Sequence, residues 1–457
     1  LFKLLDTAKD TELGVLYSFS EMKTYEDFSK NVPLVTYETI VPYFDKTRKG
    51  TQNVFWPSPI KWFAKSSGTT NSKSKFIPVS NETIADCHIN VGKDMLSLFF
   101  HNNPSADLFS GKSLRLGGSS TIYEEHDTYF GDLSAIIIEN MPFWADLSSA
   151  PKQKTALMCE WEAKMDAIVA ETVNQDITSL AGVPSWMLVL LQKVLEVTGK
   201  ENILEVWPNL QVYFHGGVNF TPYREQYKKL IPCDRFKYYE TYNASEGFFA
   251  IQDQNNSDEM LLMLDYGIFY EFIPMEHFMR EDSKAIPLKD VELYKNYAIV
   301  ITTNSGLWRY MIGDTVKFTN LSPYRIQITG RTQHFINVFG EELIVENTEK
   351  ALQYACQKCG VEILDYTVAP VFMKERKSGA HEWLIEFKNN PKCHATFAEY
   401  LDTALQDLNS DYEAKRYKSM TLAFPKVHVS RKNVFYDWLK SKEKLGGQHK
   451  IPRLSNN

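Results

Sequence analysis

Long apolar runs are missing from this chain. Runs such as Leu188 to Leu191 stop far short of the roughly 20 residues that a membrane helix needs, so no membrane partner is expected. Cysteine is scarce, at six in 457 residues, which excludes a disulfide scaffold. Cys356 and Cys359 make one Cys-x-x-Cys with no second pair, and the ten histidines show no His-x-x-x-His spacing, so a zinc site is not expected. Basic residues are not in excess: 50 Lys and Arg stand against 57 Asp and Glu, a net charge of −7. That argues against an electrostatic nucleic-acid binder. Leu1-Phe2-Lys3 carries no signal-peptide pattern, which points to a cytoplasmic protein. Internal repeats, low-complexity linkers and a Gly-x-Ser-x-Gly hydrolase elbow are also absent.

What is present is an ordinary globular composition, 44% hydrophobic and 23% charged, with 13% aromatic residues. The length suggests two domains, or one large and one small. Helical periodicity runs over 81–100, through Ile84, Cys87, Val91, Met95 and Leu98, and over 154–173, through Met158, Trp161, Met165 and Ile168. Pro184 opens a third helix that Gly199 ends. Strand-like runs lie between, at 210–214, 236–241, 266–272, 298–303 and 325–329, so α/β sheets are expected. The last third reads as a compact α+β unit. Its helix over 342–359 stops at Gly360, strands follow at 363–372 and 382–387, then a helix over 395–408 and a strand near Met420.

Six motifs could carry chemistry. Lys65-Ser66-Ser67-Gly68-Thr69-Thr70-Asn71-Ser72-Lys73-Ser74-Lys75 is a polar loop around a glycine whose N–H groups and hydroxyls can cradle phosphate, with Lys75 adding a point charge. It lacks the Gly-Lys-Ser/Thr ending of a Walker loop, and by itself it reads equally as a solvated turn. Gly216-Gly217 follows a strand, where it permits either a flat ring close to the backbone or a plain tight turn. Tyr242-Asn243-Ala244-Ser245-Glu246 places a carboxylate that could hold Mg²⁺ beside a phosphate, or a helix cap. Gly306-Leu307-Trp308-Arg309-Tyr310 leads to Gly313-Asp314, whose carboxylate can accept hydrogen bonds from two ribose hydroxyls, or simply sit in a turn. Gly330-Arg331 through Gly340 and the terminal Gly446-Gly447-Gln448-His449-Lys450-Ile451-Pro452-Arg453 complete the set; the last reads as a mobile loop delivering a charge or as a basic tail.

The order of these motifs resembles that of the adenylate-forming enzymes across almost the whole chain. Within that superfamily the details are similar to the Gretchen Hagen 3 family, the auxin-responsive acyl-acid amido synthetases, in a bacterial-type form. The residues concerned are Ser66-Ser67-Gly68-Thr69-Thr70 with Lys75 and Pro78, Gly306-Leu307-Trp308-Arg309-Tyr310, Phe335-Ile336-Asn337 with Phe339-Gly340-Glu341, and Lys450-x-Pro452-Arg453. Trp56-Pro57-Ser58-Pro59-Ile60-Lys61-Trp62 and Tyr270-Glu271-Phe272-Ile273-Pro274 add to the likeness. Two residues depart from the wider pattern: Asn71 replaces the usual glycine, and Gln333 replaces a charged hinge residue.

The resemblance implies an α/β adenylate-forming fold. A large N-terminal domain over 1–332, with α/β sheets and a small β-barrel-like part, would be followed by a small, mobile α+β domain over 333–457, hinged near Arg331 to Gln333. It implies an ATP-dependent ligase that activates a carboxylic acid as acyl-adenylate with release of pyrophosphate, then passes the acyl group to an amine, an amino acid by analogy, with release of AMP. By carry-over, Ser66, Ser67, Gly68, Thr69, Thr70 and Lys75 would hold the triphosphate, and Gly216 and Gly217 would face adenine or the acyl group. Tyr242 would pack on adenine, Ser245 would lie near the α-phosphate, Glu246 would bind Mg²⁺, Asp314 and Arg331 would take the ribose, and Lys450 would reach in as a catalytic cation. Val183 and Trp186 would line the acyl site, with contributions from 114–119 and 141–144; Trp186 reads equally as a core residue. Two other readings stay open: an acid–thiol ligase making an acyl-CoA, and a nucleotide-binding sensor without catalysis.

Overall fold

The computed structural model describes residues 1–66, 75–117, 122–217, 220, 223–278, 283–332, 335–336, 343–371, 379–409, 412–413, 416, 422–442, 445 and 451–455. The strands in chain order are β1 (Trp62–Ser66), β2 (Lys75–Val79), β3 (Lys112–Leu116), β4 (Tyr123–Glu125), β5 (Thr128–Gly131), β6 (Ser149–Ala150), β7 (Ile177–Gly182), β8 (Val212–Gly216), β9 (Lys237–Ala244), β10 (Gly247–Ile251), β11 (Met260–Leu262) and β12 (Ile268–Pro274). They continue as β13 (Ile286–Pro287), β14 (Asn296–Thr303), β15 (Tyr310–Leu321), β16 (Tyr324–Arg331), β17 (Phe335–Ile336), β18 (Leu343–Ile344), β19 (Ile363–Val371), β20 (Ala380–Phe387) and β21 (Lys426–Val429).

One sheet of twelve strands dominates, in the order β13-β12-β14-β15-β16-β11-β10-β9-β8-β7-β3-β6. Its β6, β3, β7, β8 and β9 run parallel. Parallel neighbours need crossovers, and Pro184–Thr198 joins β7 to β8 while Arg224–Leu230 joins β8 to β9. The remaining strands pair antiparallel, so the part expected to be barrel-like is continuous with the parallel half in one hydrogen-bonded sheet. A second sheet, β2-β1-β5-β4, stands apart, and β19-β20-β21 form the sheet of the C-terminal unit, flanked by the helices Val345–Cys359 and His394–Leu408.

Local chemistry sets the boundaries. Pro184 occupies the first turn of its helix, where no N–H is missed, and Gly199 ends it at φ +66°. Gly360 ends Val345–Cys359 in the same left-handed conformation. One expectation fails, and another is met with a local difference. The helix over 154–173 is broken into Gln153–Ala156 and Trp161–Thr172, because the Glu160 carboxylate accepts from the N–H groups of Glu162 and Ala163 and starts a new helix there. The helix over 81–100 begins as a π-helical stretch, Thr83–Ile89, before Asn90–Asn102 continues as α. The strand expected near Met420 lies outside the described residues, and Lys426–Val429 supplies the third strand of that sheet.

The C-terminal unit packs against the large sheet. Phe435, Leu439 and Ile451 are buried in the same cluster as Trp161, Tyr213, Tyr223 and Tyr227. Gln226 donates to the Ile363 carbonyl, and Arg453 Nη2 donates to Tyr223 Oη at 3.0 Å while its Nη1 pairs with Asp365.

Candidate active site

The parallel strands β3, β7, β8 and β9 end on the same edge, which is where open α/β sheets bind ligands. Gly117 follows β3, Val183 to Trp186 follow β7, Gly216-Gly217 close β8, and Tyr242 to Glu246 close β9 and enter the turn to β10.

At the β9 end the structure assembles a cluster that sequence distance hides. Tyr242 Oη donates to Asp314 Oδ2 at 2.9 Å, across 72 residues. Asp314 and Arg331 are register partners on β15 and β16, and Arg331 Nε lies 3.0 Å from Asp314 Oδ1. Asp314 holds the Arg331 guanidinium further into its charged form, and burial followed by the Asp314 charge pushes the Tyr242 phenol far up, so that phenol stays a donor. Glu246 is 8% exposed and forms no ion pair among the described residues. Burial pushes its carboxyl up, and Asp314 adds to the shift. Its own backbone N–H, Lys75 and Arg331 pull the other way. Tyr310 Oη reaches Glu246 Oε1 at 3.5 Å. Ser245 is buried beside it.

Lys75 opens β2 opposite Ser66 on β1, so the two residues close the base of the polar loop. The Lys75 ammonium lies over the Tyr37 ring at 5.4 Å. Ser67, Gly68, Thr69, Thr70 and Lys450 lie outside the described residues, as does the Ser66 side chain.

Packing accounts for several of the candidate residues. A Cβ on Gly216 would stand 2.4 Å from the Thr241 carbonyl oxygen, so the neighbouring strand already requires glycine there; Gly217 takes φ +84°, which also suits glycine. Trp186 is buried edge-on against Trp161 at 4.8 Å, its indole N–H without a hydrogen-bond partner among the described residues, and Val183 is partly buried beside it. The Gly306 to Tyr310 motif is largely structural. Arg309 is buried and grips Glu271 through Nε and Nη2, at 2.8–3.2 Å, and the Ser29 and Val32 carbonyls through Nη1, at 2.8 Å. Tyr310 is the member that faces Glu246, a role that its type and spacing did not signal.

Nucleotide and metal fit this cluster on one observation each. A buried carboxylate with no ion pair among the described residues, Glu246, suits a divalent ion. Asp314 offers a fixed acceptor between a phenol and a guanidinium. Replacing Asp314 by Ala removes charge-assisted acceptors worth roughly 1.5–3 kcal/mol each. ATP affinity by calorimetry should therefore fall at least about tenfold. Unchanged affinity in a folded variant would contradict the assignment.

Comparison with known proteins gives one answer along the chain. Residues 1–236 match the GH3 family N-terminal domain, 261–331 the central domain and 346–457 the C-terminal domain. Among curated relatives, the indole-3-acetic acid-amido synthetase GH3.3 of Arabidopsis thaliana is 20% identical, covering 99% of this chain and 87% of its own length. The 4-substituted benzoates-glutamate ligase GH3.12 of the same plant is 23% identical over 94% of this chain and 87% of its own length. In fold, the GH3.15 acyl acid amido synthetase in complex with 2,4-DB superposes with a TM-score of 0.82 at 17% identity, covering 100% of this chain and 90% of its own. A 2-hydroxyisobutyryl-CoA ligase in its postadenylation state gives 0.64 at 13% identity, covering 100% of this chain and 88% of its own. The fold is thus that of the adenylate-forming enzymes, and the chain belongs to the GH3 family.

Proposed function

We propose that this protein is an ATP-dependent acyl-acid amido synthetase, which activates a carboxylic acid as acyl-adenylate and passes the acyl group to an amino acid. The observation that carries this reading is the meeting of Glu246, Asp314, Arg331 and Tyr242 at the end of β9, with Lys75 near enough to act on Glu246. Family membership over nearly the whole chain supports the same activity.

The chemistry asks for positioning and charge neutralisation more than covalent help. Asp314, held by Tyr242 and Arg331, would accept the ribose hydroxyls. The Tyr242 ring and Gly216-Gly217 would bound the adenine or acyl side, and Ser245 would lie beside the α-phosphate. Lys75 and the loop Ser66, Ser67, Gly68, Thr69 and Thr70 would take the leaving pyrophosphate. Mg²⁺ would supply a Lewis acid that neutralises phosphate charge, and Glu246 would hold it. Val183 and Trp186 would wall the acyl group. The unit over 333–457 would turn about Arg331 to Gln333 between adenylation and amide formation, delivering Lys450 for the first step only.

Glu246→Gln keeps the shape but removes the charge that Mg²⁺ prefers. Adenylation should fall and saturate only at higher Mg²⁺; a Mg²⁺ dependence identical to the parent's would make Glu246 a structural residue. The acceptor is tested by mass spectrometry of products formed with ATP, an activated acid and either CoA or a panel of amino acids. N-acyl amino acids are the expected products, and acyl-CoA formation alone would overturn the assignment.

A further inference from the structure

Strand β3 buries Leu114 and Leu116 on one face, against Trp186 and Met187. Strand alternation sends Arg115, between them, to the other face. Its register partner on β7 is Ala181, which packs beside Phe99, Phe214 and Tyr239, so Arg115 enters an apolar layer. It does so at the carboxyl end of β3, next to the Leu116–Gly182 pair from which the 183–186 segment departs. Met141 and the following short helix, Phe143–Leu147, close over this end of the sheet.

A guanidinium in such a place needs an anion. Arg115 forms no ion pair among the described residues. Its hydrogen-bond contact is with the Met141 thioether sulfur, a weak acceptor. Asp146 is the one carboxylate that acts on it, from beyond ion-pair range. Burial therefore pulls its pKa below the ordinary arginine value, and Asp146 offsets that only in part. Arg115 is partly buried; compare Arg309 and Arg416, two buried arginines, each of which grips a carboxylate through two nitrogens. Folding has placed a planar, bidentate donor at the ligand edge of the sheet and left its fork for something else.

We propose that Arg115 binds a substrate carboxylate other than the one that is activated. Two sources share this chemistry: a second carboxylate on the acyl acid, and the α-carboxylate of an amino-acid acceptor. Either would bring the counter-charge that the apolar layer lacks. The inference rests on the proposed synthetase activity for its location, but the residue's role can be read without turnover.

The test uses Arg115→Met, of similar length without charge, and Arg115→Lys, which keeps the charge but loses the fork. In the first arm, ATP–pyrophosphate exchange is followed with adipate and with hexanoate, no acceptor being present. In the second, amide formation from the best acid is followed with glycine and with ethylamine. Arg115→Met should raise KM about tenfold or more for the carboxylate-bearing member of one pair, leave its carboxylate-free analogue unchanged, and disturb kcat far less. Arg115→Lys should recover part of the loss. Calorimetric titration of adipate and glycine into the nucleotide-free protein gives the same reading where no acid supports exchange, so failure of the synthetase reading is not confused with failure of this one. Removal of a partly buried charge with no ion-pair partner among the described residues should also make unliganded Arg115→Met melt at or above the parent temperature. A lower melting temperature with equal losses for both members of each pair makes Arg115 a structural residue, and unchanged KM in both arms together with unchanged titrations equally overturns the proposal.

Discussion

Lys450→Ala is expected to lower ATP–pyrophosphate exchange by about 10²–10³-fold, the effect of removing a positioned charge donor from a water-excluded site. The same variant should still convert supplied acyl-adenylate and amine to product at close to the parent rate. The next residue in the chain, Ile451, is buried in the core cluster of the large sheet, and Arg453 is tied at once to Asp365, to the Tyr366 carbonyl and to Tyr223. Val368 and Leu454 bridge, and Thr367 donates to the Pro452 carbonyl, so the segment after Lys450 is fixed on β19. A free basic tail would not be anchored this way. Equal losses in both half-reactions, or no loss in either, would defeat the alternation of the C-terminal unit.

Arg309→Leu is expected to cost about 3–5 kcal/mol of stability, because it strands the Glu271 carboxylate, 1% exposed, in the core. Tyr25 also donates to that carboxylate, at 2.8 Å, so the loss reaches the N-terminal helices. The apparent melting temperature should drop by about 5–10 °C. Lys440→Ala, which breaks the exposed pair with Glu162, should leave it unchanged and serves as the control. A melting temperature for Arg309→Leu equal to the control would mean that Glu271 finds another partner or protonates at no cost.

These outcomes separate what a linear reading can see from what it cannot. Local signals survived folding: Pro184 and Gly199 bracket one helix, and Gly360 stops another. Strand β14 was legible as the strand-like run over 298–303, and it is buried nearly throughout. The break before Trp161 was not legible, since Glu160 is an ordinary helix former until its carboxylate turns back to cap the next turn. Nor was the join of the parallel and antiparallel halves, which depends on the non-local pairings β9–β10–β11–β16.

The site divides the same way. Glu246 and Asp314 were picked out by residue type and neighbours in sequence, but their sharing of one cluster depends on β9 and β15 coming together in space. Gly216 reads in sequence as a ligand's approach or a tight turn, and the close Thr241 carbonyl is a reason for glycine that only the strand pairing shows. Arg309 looked like part of a binding motif and is an internal tie. Arg115 is in sequence only one position of the 114–119 stretch expected near the acyl site; nothing there sets it apart until register places it in an apolar layer.

Acid-dependent ATP–pyrophosphate exchange tests the central claim most directly. Purified protein with ATP, Mg²⁺ and labelled pyrophosphate is screened against aromatic, indolic, aliphatic and hydroxy carboxylic acids, with no amine present. The account predicts exchange that depends on a particular acid, saturates with it and disappears in Asp314→Ala and Lys450→Ala. Tight ATP binding with no exchange for any acid would contradict it and leave a nucleotide-binding protein without the adenylation chemistry.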